Sequence, residues 1–173
     1  MSTVLSTQSF APLAFSGTSH DHRQCVTQAL AQATQICQQR DARLTPLRRR
    51  VLELIWRSHK PLGAYTILES LHVDEGRRAA PPTVYRALEF LIQQGLIHRI
   101  ASLNAFIGCI HPDKPHVGQF LICTECGNAA ELETPLIADG IALQARTLGF
   151  IIENQVIEIT GRCASCQQHH KTS

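Results

Sequence analysis

The first hundred residues carry apolar positions at helical spacing, interrupted by short polar segments, and this pattern predicts four helices. The second begins at Pro46 with Thr45 as its N-cap, because proline suits the first helical position, where its missing N–H is not needed. The fourth ends before Gly95, which suits the left-handed conformation of a helix cap. The predicted helices cover residues 23–40, residues 46–56, residues 64–71 after a turn at 61–63, and residues 81–94.

Two short β-rich segments follow, at residues 96–101 and 105–110, and residues 102–104 between them predict a hairpin. Three packed helices followed by a hairpin is the order of a winged helix-turn-helix domain, here with one extra helix in front. In helix-turn-helix proteins the recognition helix enters the major groove of DNA. Other small α+β domains share this order, so the topology alone leaves the function open.

The pattern changes after residue 112. It predicts strands at 120–123 and 129–133 around a cysteine-rich turn, a helix at 136–148 and a strand at 150–160. A unit of about fifty residues is too small to be comfortably stable alone, so we expect a metal, a partner chain or both to stabilise it. The predicted fold class is therefore α+β, with an N-terminal winged helix-turn-helix domain and a small C-terminal α/β domain.

Composition narrows the class of protein. The chain has 173 residues, of which 44% are apolar and 17% charged, a balance that argues against intrinsic disorder. No apolar segment approaches the length of a membrane-spanning helix, and the first twenty residues lack the basic region of a signal peptide. Because these first residues do not form a signal peptide, we expect a disordered arm at residues 1–22. The chain has an odd count of seven cysteines, so we expect metal or thiol chemistry in the reducing cytoplasm.

Charge is distributed unevenly along the chain. Residues 1–100 carry twelve basic and seven acidic side chains, a net charge of +5, whereas residues 101–173 carry four and seven, a net charge of −3. The basic half contains the candidate recognition helix, where arginine can read guanine and hydroxyl groups can reach phosphates. An ordinary amphipathic helix with a solvated arginine is the alternative. At least one of arginines 48–50 is expected to face inward or to pair with an acidic residue, so not all three can contact DNA. The candidate DNA-binding residues are Arg48, Tyr65, Thr83, Tyr85 and Arg86.

Two C-x-x-C pairs form the strongest motif of the chain. Cys123 and Cys126 make the first pair, and Cys163 and Cys166 make the second. Four thiolates on two tight turns suit the tetrahedral all-sulfur set of a structural zinc site. A dithiol redox pair is the competing interpretation of either motif alone, but two pairs favour zinc.

A second group of possible ligands is scattered along the chain. His98 and Cys109 lie in the two strands of the hairpin, His116 in the following linker, and Glu131 beyond the first C-x-x-C. Each alone fits a structural role: an exposed strand residue, a small buried apolar residue or a solvated carboxylate. Their joint position between the two predicted domains makes them a candidate metal site.

Motifs of catalysis are absent from the sequence. It contains no H-E-x-x-H, no H-x-E before a P-C-x-x-C, no G-x-S-x-G and no P-loop. We therefore expect that the protein is not an enzyme. We assign no role to Cys25, Cys37, His111 or the pair His169-His170.

The motifs together resemble the Fur family of metal-responsive repressors, from about residue 25 to residue 167. The segments that carry the resemblance are Leu44-Thr45-Pro46-x-Arg48, Pro82-Thr83-Val84-Tyr85-Arg86-Ala87-Leu88, Cys123-x-x-Cys126-Gly127 and Cys163-x-x-Cys166. Membership implies a homodimer, a C-terminal dimerisation domain and a regulatory metal site near the hinge. The resemblance implies a DNA-binding domain at 23–111, a hinge at 112–117, a dimerisation domain at 118–168 and a tail at 169–173.

Within the family, the chain is most similar to the zinc-sensing members, by its doubled Pro81-Pro82 and by Asn154-x-Val156-Ile157-Glu158. Their regulatory ligands would correspond to His98, Cys109, His116 and Glu131. Iron-type members carry a histidine-rich segment ending in His-x-His, whereas residues 116–120 here contain one histidine. A thiolate ligand also favours zinc over iron or manganese.

The resemblance implies a zinc-responsive transcriptional repressor. It would bind double-stranded operator DNA as a homodimer when zinc fills the regulatory site, and it would control zinc uptake and homeostasis. We expect two zinc ions per chain, no membrane partner and no small-molecule substrate. The alternatives are a regulator of the same fold that responds to iron, manganese, nickel or peroxide, and a zinc-stabilised protein-interaction module that binds no DNA.

Overall fold

The structure is a computed structural model that describes residues 22–58, 60–75, 80–114, 116–132 and 134–171. The predicted N-terminal arm lies outside these residues except for His22, which begins the first helix. The elements of the described residues are α1 (His22–Gln39), α2 (Pro46–Trp56), β1 (Leu62–Gly63), α3 (Ala64–Glu75), α4 (Pro81–Gln93), β2 (Ile97–Ile100), β3 (Ala105–Gly108), β4 (Gly118–Cys123), β5 (Ala129–Glu131), α5 (Pro135–Thr147), β6 (Val156–Gly161) and α6 (Ala164–Lys171).

Helices α1 to α4 pack into one apolar core. The α2 helix begins as the sequence predicts, since the Thr45 side chain accepts a hydrogen bond from the Arg48 backbone N–H and Pro46 occupies the first position. After α4, Gly95 adopts a φ of +66°, the left-handed conformation that glycine takes without strain. The fully buried side chains of this core include Val51, Leu52, Ile55, Ile67, Leu71, Val84, Leu88 and Leu91.

A three-stranded antiparallel sheet with the order β1-β3-β2 follows the helices. The β2–β3 hairpin is the wing of the winged helix, and residues 101–104 form its turn. The prediction of a plain turn at 61–63 is wrong, because Leu62 and Gly63 pair with β3 as a short strand. At the base of the wing, the backbone of Gly108 lies against Trp56, where a Cβ atom would come within 2.3 Å of the indole.

The C-terminal part forms a second three-stranded sheet with the order β5-β4-β6. Strand β4 pairs antiparallel with β5 and parallel with β6, and α5 makes the crossover that a parallel pair requires. The predicted strand at 150–160 is too long, since only Val156–Gly161 pairs with β4. Phe150 and Ile151, whose apolar character suggested a strand, are 66% and 84% exposed.

The wing and the second sheet share a small apolar cluster of their own. Ile100 and Ile107 of the wing pack with Phe120 and Ile122 of β4 and with Ala129 of β5. All five side chains are nearly or completely buried. This cluster, which we call the seam, positions the hairpin against the second sheet.

Two helices differ from the prediction, one in its length and the other in being present at all. Helix α3 continues from the predicted end at Leu71 to Glu75, and α6 was not predicted at all. Helix α6 runs through His169 and His170, which the sequence analysis assigned to a tail. No helix among the described residues is both long and apolar enough to span a membrane.

Candidate metal centres and nucleic-acid interface

The four cysteines of the two C-x-x-C pairs meet at one end of the second sheet. Cys123 ends β4, and its parallel partner in β6 is Gly161, so the second pair lies beside the first. The 36 residues between the pairs are therefore accommodated by α5 and β6, which return the chain to the same edge. The four sulfur atoms lie within 4.8 Å of one another.

The spacing of the sulfur atoms fits a tetrahedral ion. Cys126 Sγ and Cys163 Sγ are 3.9 Å apart, and Zn–S bonds of about 2.3 Å would place two sulfurs of a tetrahedron about 3.8 Å apart. The set consists of thiols only, as in closed structural zinc sites. These donors suit zinc by number, type and distance.

The electrostatics of this group also favour a cation. Backbone N–H groups of Cys126 and Cys163 lower the pKa of the Cys123 thiol to about 6. The neighbouring Cys163 and Cys123 raise the pKa of Cys166, because two thiolates in contact repel each other. A divalent cation removes this conflict, since it allows all four sulfurs to be ionised together.

A second cluster, which we call the mixed cluster, lies beside the seam and consists of His98, Cys109, His116 and Glu131. All four donor atoms again lie within 4.8 Å of one another. The His98 Nε2 atom lies 3.1 Å from His116 Nε2 and 3.1 Å from Glu131 Oε1. His116 Nε2 lies 2.7 Å from Glu131 Oε1 and 3.6 Å from Cys109 Sγ. Tetrahedral zinc separates such donors by about 3.3–3.6 Å, so the shorter contacts, which are hydrogen bonds here, would widen by a few tenths of an ångström around the ion. Two imidazoles, one thiolate and one carboxylate are ligand types that zinc accepts.

The ligands of the second cluster come from different parts of the fold. His98 lies in β2 and Cys109 directly after β3, whereas Glu131 ends β5 of the second sheet. His116 lies in the linker between β3 and β4. The carboxylate of Glu131 and the thiol of Cys109 are buried, and the His116 side chain is the most exposed of the four, at 26%.

Contacts within this cluster favour the charged forms of its side chains, which are cationic for the two histidines and anionic for Glu131 and Cys109. Burial lowers the pKa of His98, but contacts with Cys109 and Glu131 outweigh it and raise the pKa to about 9. The same two partners raise the pKa of His116 to about 11. Burial raises the pKa of Glu131, but His116 and His98 outweigh it and hold the pKa at about 2. Burial likewise raises the pKa of Cys109, and the two histidines bring it below its ordinary value.

Outer contacts orient the histidine ligands. His116 Nδ1 lies 2.9 Å from the Lys114 carbonyl oxygen, which leaves Nε2 directed at the cluster. The His98 ring packs edge-on against Phe120. Neither contact was predicted, because a backbone carbonyl and an aromatic ring leave no ligand pattern in the sequence.

Four of the five candidate DNA-binding residues lie on α3 and α4, and the fifth, Arg48, lies on α2. Thr83, Tyr85 and Arg86 are exposed in the first two turns of α4, and Tyr65 is 76% exposed in the first turn of α3. The apolar residues of α4 face the core, so this end of the helix presents its polar side chains to solvent. Residues 76–79, which join the two helices, lie outside the described residues.

Arg48 differs from the other four candidates. Its guanidinium lies 3.6 Å from the centre of the Phe90 ring of α4, and its Nη1 donates a hydrogen bond to the Arg43 carbonyl. Arg48 thus packs α2 against α4, and both Arg48 and Arg50 are half-buried. Of its neighbours, Arg49 contacts Thr34 and Arg50 contacts Glu53.

Arg40, which directly follows α1, contacts the linker and was not predicted from the sequence. Its Nη1 donates to the Gln94 carbonyl at the end of α4, and its Nη2 donates to the Pro112 carbonyl. Because both partners are backbone carbonyls, the sequence contains no complementary charge that could have indicated them. Among the described residues, neither cluster includes Cys25, Cys37 or His111.

The fold is a winged helix joined through a linker to a small sheet, and it carries an all-sulfur cluster and a mixed cluster at the seam. These features define a metal-responsive regulator of the winged-helix class. Residues 39–160 match the model of the ferric uptake regulator family, and the chain belongs to that family. The resemblance found in the sequence and the α+β fold class are thereby confirmed. The family is one of regulators, which are not an enzyme class.

Individual relatives within the family are zinc regulators. The chain is 41% identical to the zinc uptake regulation protein of Escherichia coli (strain K12) over 79% of this chain and 80% of the relative. A solved structure of a zinc uptake regulator complexed with zinc and DNA matches with a TM-score of 0.80 and 39% identity, covering 84% of this chain and 97% of that one. The structure of holo XcZur matches with a TM-score of 0.74 and 40% identity, covering 80% and 96%.

Proposed function

We propose that the protein is a zinc-responsive transcriptional repressor that binds operator DNA as a homodimer and controls zinc uptake and homeostasis. The observation that carries the proposal is the mixed cluster, whose ligands come from the wing, the linker and the second sheet. A site divided in this way responds to metal by fixing the wing against the second sheet. The zinc uptake regulators similar to this chain, one of them complexed with zinc and DNA, support the same function.

His98, Cys109, His116 and Glu131 would hold the regulatory ion, which supplies a central positive charge for two imidazoles, a thiolate and a carboxylate. Binding favours the arrangement in which all four groups converge, since a ligand shifts a conformational equilibrium only by its preference for one state. If DNA selects the same arrangement, DNA and zinc each raise the affinity for the other by an equal factor. The thiolate favours zinc over the harder ions.

Cys123, Cys126, Cys163 and Cys166 would hold the second zinc ion of each chain. This ion compensates for the small size of the C-terminal part, because a four-thiolate zinc site contributes folding free energy directly. All seven cysteines are free thiols in the structure, which is consistent with a reducing cytoplasm.

A second copy of the chain is the partner that the C-terminal part requires. Helix α5 has no buried residue although it is largely apolar, and β6 is an edge strand with one unpaired side. Such an exposed apolar face marks an interaction surface. The exposed apolar side chains of α5, β6 and the segment between them are Leu136, Ile137, Ile141, Leu143, Leu148, Phe150, Ile151, Val156 and Ile159.

DNA binding would use the N-terminal end of α4 in the major groove. Arg86 would read bases, while Tyr65, Thr83 and Tyr85 would contact phosphates. Arg48 supports the orientation of α4 through Phe90, with any phosphate contact secondary to this packing.

Fluorescence anisotropy with a DNA duplex selected from a random pool by the zinc-loaded protein tests this function. We expect tight, sequence-specific binding with zinc, and its loss when a chelator empties the regulatory site. Iron(II), manganese(II) and nickel(II) should restore binding poorly. DNA binding that does not depend on metal, or that prefers another of these ions, would contradict the proposal. If the protein selects no DNA sequence from the pool, that result would indicate a protein-interaction module.

A further inference from the structure

Glu158 of β6 contacts the turn of the wing directly. Its Oε1 accepts a hydrogen bond of 2.6 Å from the Ala101 backbone N–H, and its Oε2 accepts one of 3.1 Å from the Ser102 backbone N–H. Both carboxylate oxygens therefore bind adjacent amides of the same turn. Hydrogen bonds from N–H groups to an ionised carboxylate are stronger than neutral ones, and these contacts hold the pKa of Glu158 below its ordinary value despite partial burial.

The position of Glu158 in the sheet relates it to the mixed metal cluster. Phe120 in the central strand is the register partner of Glu131 in β5 and also of Glu158 in β6. Residues in register across a sheet project from the same face, so both carboxylates flank Phe120 on one face. Glu131 extends to the metal cluster and Glu158 extends to the wing turn.

The two carboxylates contact the wing at different points along its length. His98 and Cys109 of the metal cluster lie toward the base of the hairpin, and Ala101 and Ser102 lie at its turn. Between these points, Ile100 and Ile107 pack on Phe120 in the seam. The wing is thus attached to the second sheet by the metal cluster, the seam and Glu158.

We propose that Glu158 is a positioning residue that fixes the orientation of the wing on the second sheet and thereby sets the zinc affinity of the regulatory site. This inference rests on the proposed function for the regulatory zinc site and, in the last comparison, for DNA. Two fixed points along the hairpin prevent it from pivoting about the metal cluster. When Glu158 is lost, the wing turn loses its own contact with the second sheet, so zinc binding must order it at a cost in free energy and the regulatory ion binds more weakly.

Three variants test the role of Glu158. Glu158→Gln keeps the size of the side chain but removes the charge, and Glu158→Ala removes both acceptors. Glu153→Gln removes the same charge from an exposed residue five positions earlier and serves as the matched control. Hydrogen exchange of the Ala101 and Ser102 amides in the zinc-loaded protein reports the contact itself, without reference to DNA.

Chelator competition then measures the zinc affinity of each site. We expect both Glu158 variants to accelerate exchange at both amides. Glu158→Gln keeps one acceptor and should weaken zinc binding at the regulatory site by about tenfold, the effect of losing one charge-assisted hydrogen bond, whereas Glu158→Ala loses both acceptors and should weaken it further. Affinity at the four-cysteine site should not change, and Glu153→Gln should match the wild type throughout. A residue with only a structural role would lower thermal stability but leave the regulatory zinc affinity intact.

Operator binding provides the final comparison. At limiting zinc, the two Glu158 variants should bind the duplex more weakly by the same factor as their loss of zinc affinity, as linkage requires. Wild-type exchange and zinc affinity in Glu158→Gln, a variant close enough in shape to fold, would overturn the inference. If the wild type itself fails to bind DNA in response to zinc, the proposed function fails, while exchange and zinc affinity still decide the role of Glu158.

Discussion

Cys109 is the residue through which the proposed regulatory site can be tested separately from the structural one. Its thiol is 2% exposed and lies beside His116 at 3.6 Å, at a point where the wing meets the linker. The sequence could indicate the four residues of this cluster because histidine, cysteine and glutamate are ligand types and occur at the predicted domain boundary. It could not indicate Lys114 or Phe120, whose contacts orient the histidines through a carbonyl and a ring.

Replacement of Cys109 by serine should separate sensing from folding. We expect Cys109→Ser to remain a folded dimer with its four-cysteine zinc in place, but to lose the zinc-dependent gain in operator affinity, because a hydroxyl is a far poorer zinc ligand than a thiolate. Metal content per chain and anisotropy titrations with and without zinc measure both effects. Cys25→Ser, outside both clusters, is the control, and a fully zinc-responsive Cys109→Ser would place the sensor elsewhere.

At the scale of elements, five of the six helices among the described residues could be predicted from the sequence, and strand pairing was less predictable. The start of α2 follows from Thr45 and Pro46, whose capping chemistry is local. Strand β1 was missed because residues 61–63 are locally turn-like and become a strand only by pairing with β3. The length of β6 was overestimated, since apolar residues at 150–151 are exposed on the surface proposed to meet a second copy of the chain.

The N-terminal end of α4 gives a prediction at this scale. Arg86→Ala should weaken binding to the selected duplex by about 1–3 kcal/mol and relax base preference at one position, as expected for the loss of an arginine that reads bases. Tyr65→Phe should weaken binding evenly across sequences, because it removes a phosphate contact. Competition with single-base variants of the duplex measures the difference, and unchanged preference in Arg86→Ala would exclude α4 as the reading element.

At the scale of the whole molecule, the two halves are stabilised differently. The N-terminal helices bury a large apolar core. The second sheet has the small seam and the cluster of four cysteines, and the α5 helix that precedes its last strand has no buried residue. The sequence could indicate this division because the C-terminal part is short and rich in cysteine. It could not indicate the seam, which depends on the contacts of Ile100 and Ile107 with β4 and β5.

Loss of the structural ion should therefore affect the C-terminal part first. Cys163→Ser should remove one zinc per chain, and the loss is of order 10 kcal/mol of folding free energy for a small zinc-dependent unit. We expect the variant to dimerise poorly while α1 to α4 stay folded. Zinc content, sedimentation velocity and circular dichroism report these effects, and a zinc-replete dimer of unchanged thermal stability would contradict the four-cysteine assignment.

The exposed face of α5 predicts where the dimer forms. Leu148→Glu should shift the protein toward monomers, because a carboxylate in an apolar interface is costly to desolvate. Val73→Glu on α3 is the matched control, since Val73 is 81% exposed and Leu148 is 83% exposed. Light scattering across a concentration series measures the change, and equal dimer stability in the two variants would place the interface on another surface.

The contact of Gly108 with Trp56 gives the chain an intrinsic optical reporter. Trp56 is the single tryptophan of the sequence, and its indole lies against the backbone residue that precedes the Cys109 ligand. Any displacement of the wing base changes the surroundings of this one fluorophore. Emission should therefore follow loading of the regulatory site, and it should stay constant as zinc is added to Cys109→Ser, so that occupancy can be followed without a label.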